Sequence, residues 1–142
     1  MSRWVLAANV APALFLTGLI WTVQVVHYPL FAKVGADYFP AYEAAHTGRI
    51  TMVVGPVMLA ELAAAVALVF ARPAGAPAWA AWMGLALVGM IWGSTAFLQV
   101  PRHGELAAGF DAGAHAALVA TNWIRTWAWS LRSGLLVWLS FR

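Results

Sequence analysis

Residues 4–26, WVLAANVAPALFLTGLIWTVQVV, contain no charged side chain. An uninterrupted apolar run of roughly 18 residues or more is long enough to cross the hydrocarbon core of a bilayer as a helix. In lipid a single helix is also one of the few conformations that bonds its own backbone completely. The run exceeds the roughly 7–15 residues of a secretory signal core, and His27-Tyr28-Pro29 follows it in place of a small-residue cleavage site. Further runs at 50–71, 79–100 and 119–141 extend the pattern, the last being the least apolar. The expectation is an all-α, antiparallel four-helix transmembrane bundle, with residues 1–142 forming one integral, multi-pass membrane domain. Only 9% of residues are charged, against about 25% in soluble domains, so a water-soluble globule is excluded.

Pro and Gly punctuate these runs. ARPAGAPA, residues 71–78, reads as a tight loop, and Pro40 suits the first turn of a helix that continues as AYEAAH into the second span. Pro56 is expected to kink that span, Pro101 to end the third, and Asp111 to cap the last helix. Gly89-x-x-x-Gly93 is a small-residue pair of the kind that admits a neighbouring backbone. Four crossings put the termini and the 71–78 loop on one side, with the connections 28–49 and 101–120 on the other. Arg3, Arg72 and Arg142 flank the first side, and Lys33, Arg49, Arg102 and Arg125 the second. If Arg49 and Arg125 belong to a site, the remaining charges favour cytoplasmic termini.

The chain has no cysteine, which removes disulfides, thiolate-bound metals and cysteine nucleophiles together. Its few basic residues are scattered, so there is no nucleic-acid footprint. The expected partners are the lipid bilayer, a hydrophobic small molecule, and either a second copy of the chain or a membrane complex.

His27, His46, His103 and His115 all fall near the second side, as do all three tyrosines. Amphipathic residues gather at any membrane interface, yet the opposite interface has neither type. His46-x-x-Arg49 and Asn122-x-x-Arg125 each open a span, three residues apart and so on one helical face. Gln24 and Gln99 close the preceding spans, which gives the two halves a faint likeness. Glu61 and Arg132 lie deep in their spans, at depths that differ by roughly 3 Å at 1.5 Å per residue, and an ionisable group so placed must be paired or face a wet cavity. Together these residues predict a polar funnel. His46 or His103 would serve as general base, and Asn122 and Arg125 would hold a developing phenolate. Gln24, Arg49, Glu61, Gln99 and Arg132 would line the substrate site. The same histidines, His27, His46, His103 and His115, offer a second reading as ligands to haem, copper or iron. Glu43-x-x-His46 has di-iron spacing but occurs once, where that pattern needs two copies.

LQVPRHGELAAGF followed by TNWIRTWAWSLRSGLLV resembles the anthrone-oxygenase-like family of small four-helix membrane proteins. The likeness rests on Val100-Pro101, a polar residue at His103, Leu106-Ala107, and Asn122 with Arg125-Thr126 opening an apolar helix. It covers roughly the last 45 residues. It departs at His103, where the family usually shows Asn, and at Thr121, where Trp is common. The resemblance implies oxidation of a phenolic, aromatic substrate, with His103, Asn122 and Arg125 as site residues. A haem- or copper-binding redox protein and a non-catalytic subunit of a membrane complex are the alternatives.

Four crossings make a direct prediction about labelling. Single cysteines at positions 2 and 33 should react with a water-soluble maleimide from opposite sides of sealed vesicles. Labelling from the same side would contradict the topology.

Overall fold

The computed structural model describes residues 2–142, with side chains from Trp4 onward; Met1 and the Arg3 side chain of the charge count lie outside the described residues. Four long helices account for most of the chain. Helix α1 begins as Ser2–Thr22, widens into a π turn at Val23–His27, and ends through Tyr28–Leu30 and a 3₁₀ turn at Phe31–Lys33. Helix α2 is Phe39–Phe70. Helix α3 begins as Ala78–Ser94, passes through a second π turn at Thr95–Gln99, and continues to Ala107. Helix α4 is Ala112–Ser140. No strand occurs among the described residues. The stretches Trp4–Lys33, Phe39–Phe70 and Ala78–Ala107 are each long and apolar enough to cross a membrane.

Helix α4 is outside that set because it carries more polar residues, and these point into the protein. Asn122, Arg125, Thr126, Arg132 and Ser133 are buried, whereas Trp127 and Leu131 are exposed. Helices α1 and α3 each pack against both α2 and α4, so the four form a ring. Thr17 meets Ser133, Gln24 meets Asn122, and the Tyr28 carbonyl meets His115.

Neither Pro29, at the exit of the first span, nor Pro101, expected to end the third, stops its helix. Proline lacks the N–H that an α-helix needs and its ring crowds the carbonyl four residues back. Here the residue before each proline bonds five residues back: Tyr28 N–H to Val23 O ahead of Pro29, and Val100 N–H to Thr95 O ahead of Pro101. Each π turn therefore carries its helix past the proline. The expected long connections 28–49 and 101–120 are accordingly mostly helix. His103 sits on α3 and not in a loop. Helix α2 runs without a break through Pro56. Pro40 does occupy its first turn, and Asp111 does cap α4 by accepting the Ala114 N–H at 2.6 Å. The 71–78 loop turns through Gly75, at φ +88, a conformation that side chains with a Cβ rarely adopt.

Two apolar clusters fill the ring. One is built on Leu16, Ile20, Phe31, Met58, Ile91 and Trp129, the other on Ala13, Leu68, Ala80 and Leu136. Between them lies a polar node that draws on all four helices. Arg132 Nε donates to Glu61 Oε1 at 3.0 Å, Nη1 to the Gly84 carbonyl at 3.0 Å, and Nη2 to Asn9 Oδ1 at 2.7 Å. Trp129 Nε1 donates to the other Glu61 oxygen at 2.9 Å, and Asn9 Nδ2 to the carbonyls of Val5 and Ala64. Glu61 and Arg132 have no exposed surface. A buried pair so satisfied is tolerated, while removing one partner costs about 3–5 kcal/mol.

Gly84 is the glycine this node needs, since a Cβ there would stand 2.9 Å from Arg132 Nη1. A Cβ at Gly89 or Gly93 would meet nothing within 4 Å, so that pair makes no close helix contact within the chain.

Two measurements follow from the node. Glu61→Gln and Arg132→Met should each lower thermal stability in detergent more than the double variant does, because either change alone strands a buried polar partner. Additive effects would mean that the pair is not coupled. Gly84→Ala should cost about 1–3 kcal/mol by overpacking, with Gly89→Ala near neutral.

Candidate functional site

Above the node, at the end where α1 finishes and α2 begins, the ring encloses a cavity of about 530 Å³. Its apolar wall includes Leu19, Ile20, Val54, Met58, Trp92 and Trp129, and its polar groups include Tyr28, His46, Gln99, His103 and Arg125. Thr51 on α2 and Val100, Gly104 and Ala107 on α3 also line it and are exposed. The cavity thus opens on the outer surface between α2 and α3. Its polar groups come from all four helices, so the site exists only when the ring is closed.

One hydrogen-bonded chain crosses the polar end. Glu43 is fully buried on the first turns of α2, and its Oε1 lies 2.5 Å from His103 Nδ1. A carboxylate only accepts, so His103 donates from Nδ1 and, as a neutral imidazole, keeps a lone pair on Nε2. That nitrogen is 3.0 Å from the Tyr28 hydroxyl, which therefore donates to it. Arg125 Nη2 in turn donates to the Tyr28 oxygen at 3.2 Å. Each link of Glu43–His103–Tyr28–Arg125 thus joins one donor to one acceptor. The phenol oxygen is held between a guanidinium and an imidazole acceptor.

Arg125 is itself held from behind. Asn122 Oδ1 accepts from Arg125 Nε at 2.9 Å and from Nη2 at 2.5 Å, while Asn122 Nδ2 donates to Gln24 Oε1 at 2.7 Å. Gln24 Nε2 is anchored on the Val119 carbonyl at 3.1 Å, and Arg125 Nη1 reaches Thr95 Oγ1 at 3.3 Å. Thr95 opens the second π turn, whose wider winding lets α3 present it here.

His46 differs from its neighbours. Its Nδ1 lies 2.9 Å from His27 Nε2. The other nitrogen, Nε2, is buried without a partner, although His46 lines the cavity and is only 8% exposed. Trp92 Nε1 is the other unpartnered buried nitrogen on the cavity wall. Glu43 Oε2, away from the cavity, is likewise unpaired.

The structure divides the residues expected to form the site. His46, His103, Arg125 and Gln99 line the cavity. Asn122 and Gln24 do not; both are committed to orienting Arg125, so Asn122 acts through the guanidinium and does not hold a ligand. Glu61 and Arg132 form the expected ion pair, but Trp129 stands between them and the cavity, so they support its floor without touching its contents. Arg49 is exposed and outside the site, the result of a helix turn that buries His46 and swings a residue three positions on to the rim. Returning Arg49 to the interfacial count gives three cations on each side by sequence, which removes the bias toward cytoplasmic termini.

The histidines separate as well. His27, His46 and His103 are neighbours, with ring centroids 4.7 Å apart for the first two and 5.4 Å for the last two. His115 instead donates to the Tyr28 carbonyl at 2.7 Å and secures the end of α1. Among the described residues no three His, Asp or Glu side chains form a group able to hold a metal ion.

Tyr28 and Glu43 join the site without having been expected there. Tyr28 stands in the sequence beside Pro29, where helix α1 is expected to end, and only the π turn keeps it facing inward. Glu43 lies one turn before His46 on the same face, and that spacing is a usable signal. No family model, curated protein or solved structure matches the chain.

The orienting role of Asn122 can be checked by thermal unfolding. Asn122→Ala leaves two guanidinium donors unpaired in a buried setting and should cost about 1–3 kcal/mol. Arg49→Ala, on the exposed rim, should stay within about 0.5 kcal/mol. Equal effects would contradict the assignment.

Proposed function

We propose that the chain is an antiparallel four-helix transmembrane bundle that takes a hydrophobic, aromatic small molecule from the bilayer and removes a proton from it, as an oxygenase-like oxidoreductase. The observation that carries this reading is a single one. An apolar cavity, open between two helices long and apolar enough to cross a membrane, is lined at its polar end by His46, whose buried Nε2 is unpartnered, beside a Tyr28 hydroxyl clamped by Arg125 and His103. Small-molecule sites commonly combine apolar walls with a few convergent polar groups.

A phenolic or carbonyl oxygen in the cavity would meet the Arg125 guanidinium, whose Nη1 has a second N–H beyond the one given to Thr95, a donor fixed before the ligand arrives and removed from bulk water. His46 Nε2 would accept the proton that leaves the ligand. His46 Nδ1 can then pass its own proton to His27 Nε2, which is only half-buried, so charge need not accumulate in the cavity. The product of this step is an oxygen-stabilised anion, such as the enolate of an aryl ketone. The resemblance to anthrone oxygenases adds dioxygen as the oxidant: a ring CH₂ becomes C=O, one O₂ is consumed and one water is released. Resident haem, copper or iron is the weaker reading, because the ring nitrogens that face one another are already hydrogen-bonded and no three-ligand group forms among the described residues.

The test is proton exchange on the protein in liposomes. Anthrone deuterated at its methylene should lose deuterium faster with protein than without. His46→Ala and Arg125→Met should each slow that loss at least tenfold, in line with the 10²–10⁴ typical of positioned acid–base groups. Exchange equal to wild type in both variants would refute the assignment.

A further inference from the structure

The cavity has a second polar feature, at the far end from the clamped phenol. On α2 its wall runs from His46 to Met58, twelve residues or about 18 Å of helix, so the space is elongated along the bundle. On α3 the wall includes Trp92 as well as Gln99, and Trp92 comes seven residues earlier, about 10 Å nearer the Arg132 node. The Trp92 indole Nε1–H is buried without an acceptor, and the remaining wall around that end, Val54, Met58, Ile20 and Trp129, offers no free one. Trp129 Nε1 is already bonded to Glu61. A buried donor without an acceptor costs about 1–3 kcal/mol, and native proteins rarely leave one without cause.

The polar end presents the complementary case. His46 Nε2 is equally unpartnered, and that histidine is more than nine-tenths buried. Two orphaned nitrogens thus belong to side chains that line one apolar space, toward its opposite ends. A ligand with a single oxygen would satisfy only one of them. A flexible lipid chain would satisfy one and place methylenes against the other.

We infer that the natural ligand is a rigid, flat, apolar molecule with oxygen functions at both ends, one meeting His46 and Arg125 and the other accepting a hydrogen bond from Trp92. Trp92 is on this account the residue that sets the ligand's length and its orientation in the cavity. This rests on the reading of the cavity as a small-molecule site, and it adds a specificity that the proton-transfer chemistry does not require.

The experiment uses equilibrium binding to the full chain in nanodiscs, with 4-hydroxybiphenyl and 4,4′-dihydroxybiphenyl as probes. The dihydroxy probe should bind wild-type protein roughly tenfold more tightly than the monohydroxy probe, the effect of one buried hydrogen bond. Trp92→Phe keeps an aromatic side chain, a smaller one, and removes the N–H, so it should bring the two affinities together, whatever their common level. His46→Phe should weaken both. Equal binding of the two probes by wild type, or a preference that survives Trp92→Phe, would overturn the second anchor while leaving the cavity reading in place. If neither probe binds at concentrations up to its solubility, the cavity is not an aromatic small-molecule site, and both proposals fall together.

Discussion

The buried guanidinium of Arg132 is the point through which the four helices are joined. It has one bond to each of α1, α2 and α3 and is carried by α4, so each helix position is fixed relative to the same group. In a membrane the apolar faces of helices gain little by leaving lipid for one another, because hydrocarbon tails are as apolar as Leu or Ile. Specificity must then come from close packing and from polar groups with no alternative partner. Arg132 and Glu61 have none outside the ring. The approach of α3 needs Gly84, whose missing side chain leaves the space that Arg132 Nη1 occupies.

The functional end depends on that closure and on a local irregularity in two helices. Without the π turn at Val23–His27, Pro29 would break α1, and Tyr28 would leave with the chain. Without that at Thr95–Gln99, Pro101 would do the same to His103. Both turns convert an X-Pro step from a helix end into a helix continuation, and both bring a residue of the relay to face the cavity. The halves share this device even though their polar residues do not superpose on it: counted from the proline, Gln99 matches His27 and not Gln24. The faint likeness of the halves is clearer in backbone geometry than in the polar residues.

The four helices can be read from the sequence because charge is nearly absent over long stretches. Asp111 and Pro40 mark helix starts correctly for the same local reason in each case, a backbone end that needs a cap or tolerates a missing N–H. The ion pair is legible from depth alone. The extent of helices α1 and α3 is not, because proline ordinarily ends a helix and nothing in a single sequence announces a π turn. That one gap hides Tyr28 and puts His103 in a loop. It also makes the connecting segments look longer than they are. The spacing His46-x-x-Arg49 misleads in another way: residues three apart share a broad face, but the rim of a small bundle is narrow enough to bury one and expose the other. Asn9 is an amide inside an apolar run, and the depth reasoning applied to Glu61 applies equally to it.

Asn122 and Arg125 show the difference between finding a residue and assigning its part. Both stand out in the sequence, yet only the structure separates the group that faces the cavity from the one that holds it in place. At the centre of that arrangement is the donor order of the relay, with His103 protonated on Nδ1 toward Glu43 and accepting from Tyr28 at Nε2. Nitrogen-15 solid-state NMR of histidine-labelled protein in lipid reads this directly. The predicted result is one histidine protonated at Nδ1 in a strong hydrogen bond, whose signals shift in Glu43→Gln and in Tyr28→Phe while those of His115 stay fixed. Spectra in which neither substitution moves any histidine signal would contradict the relay.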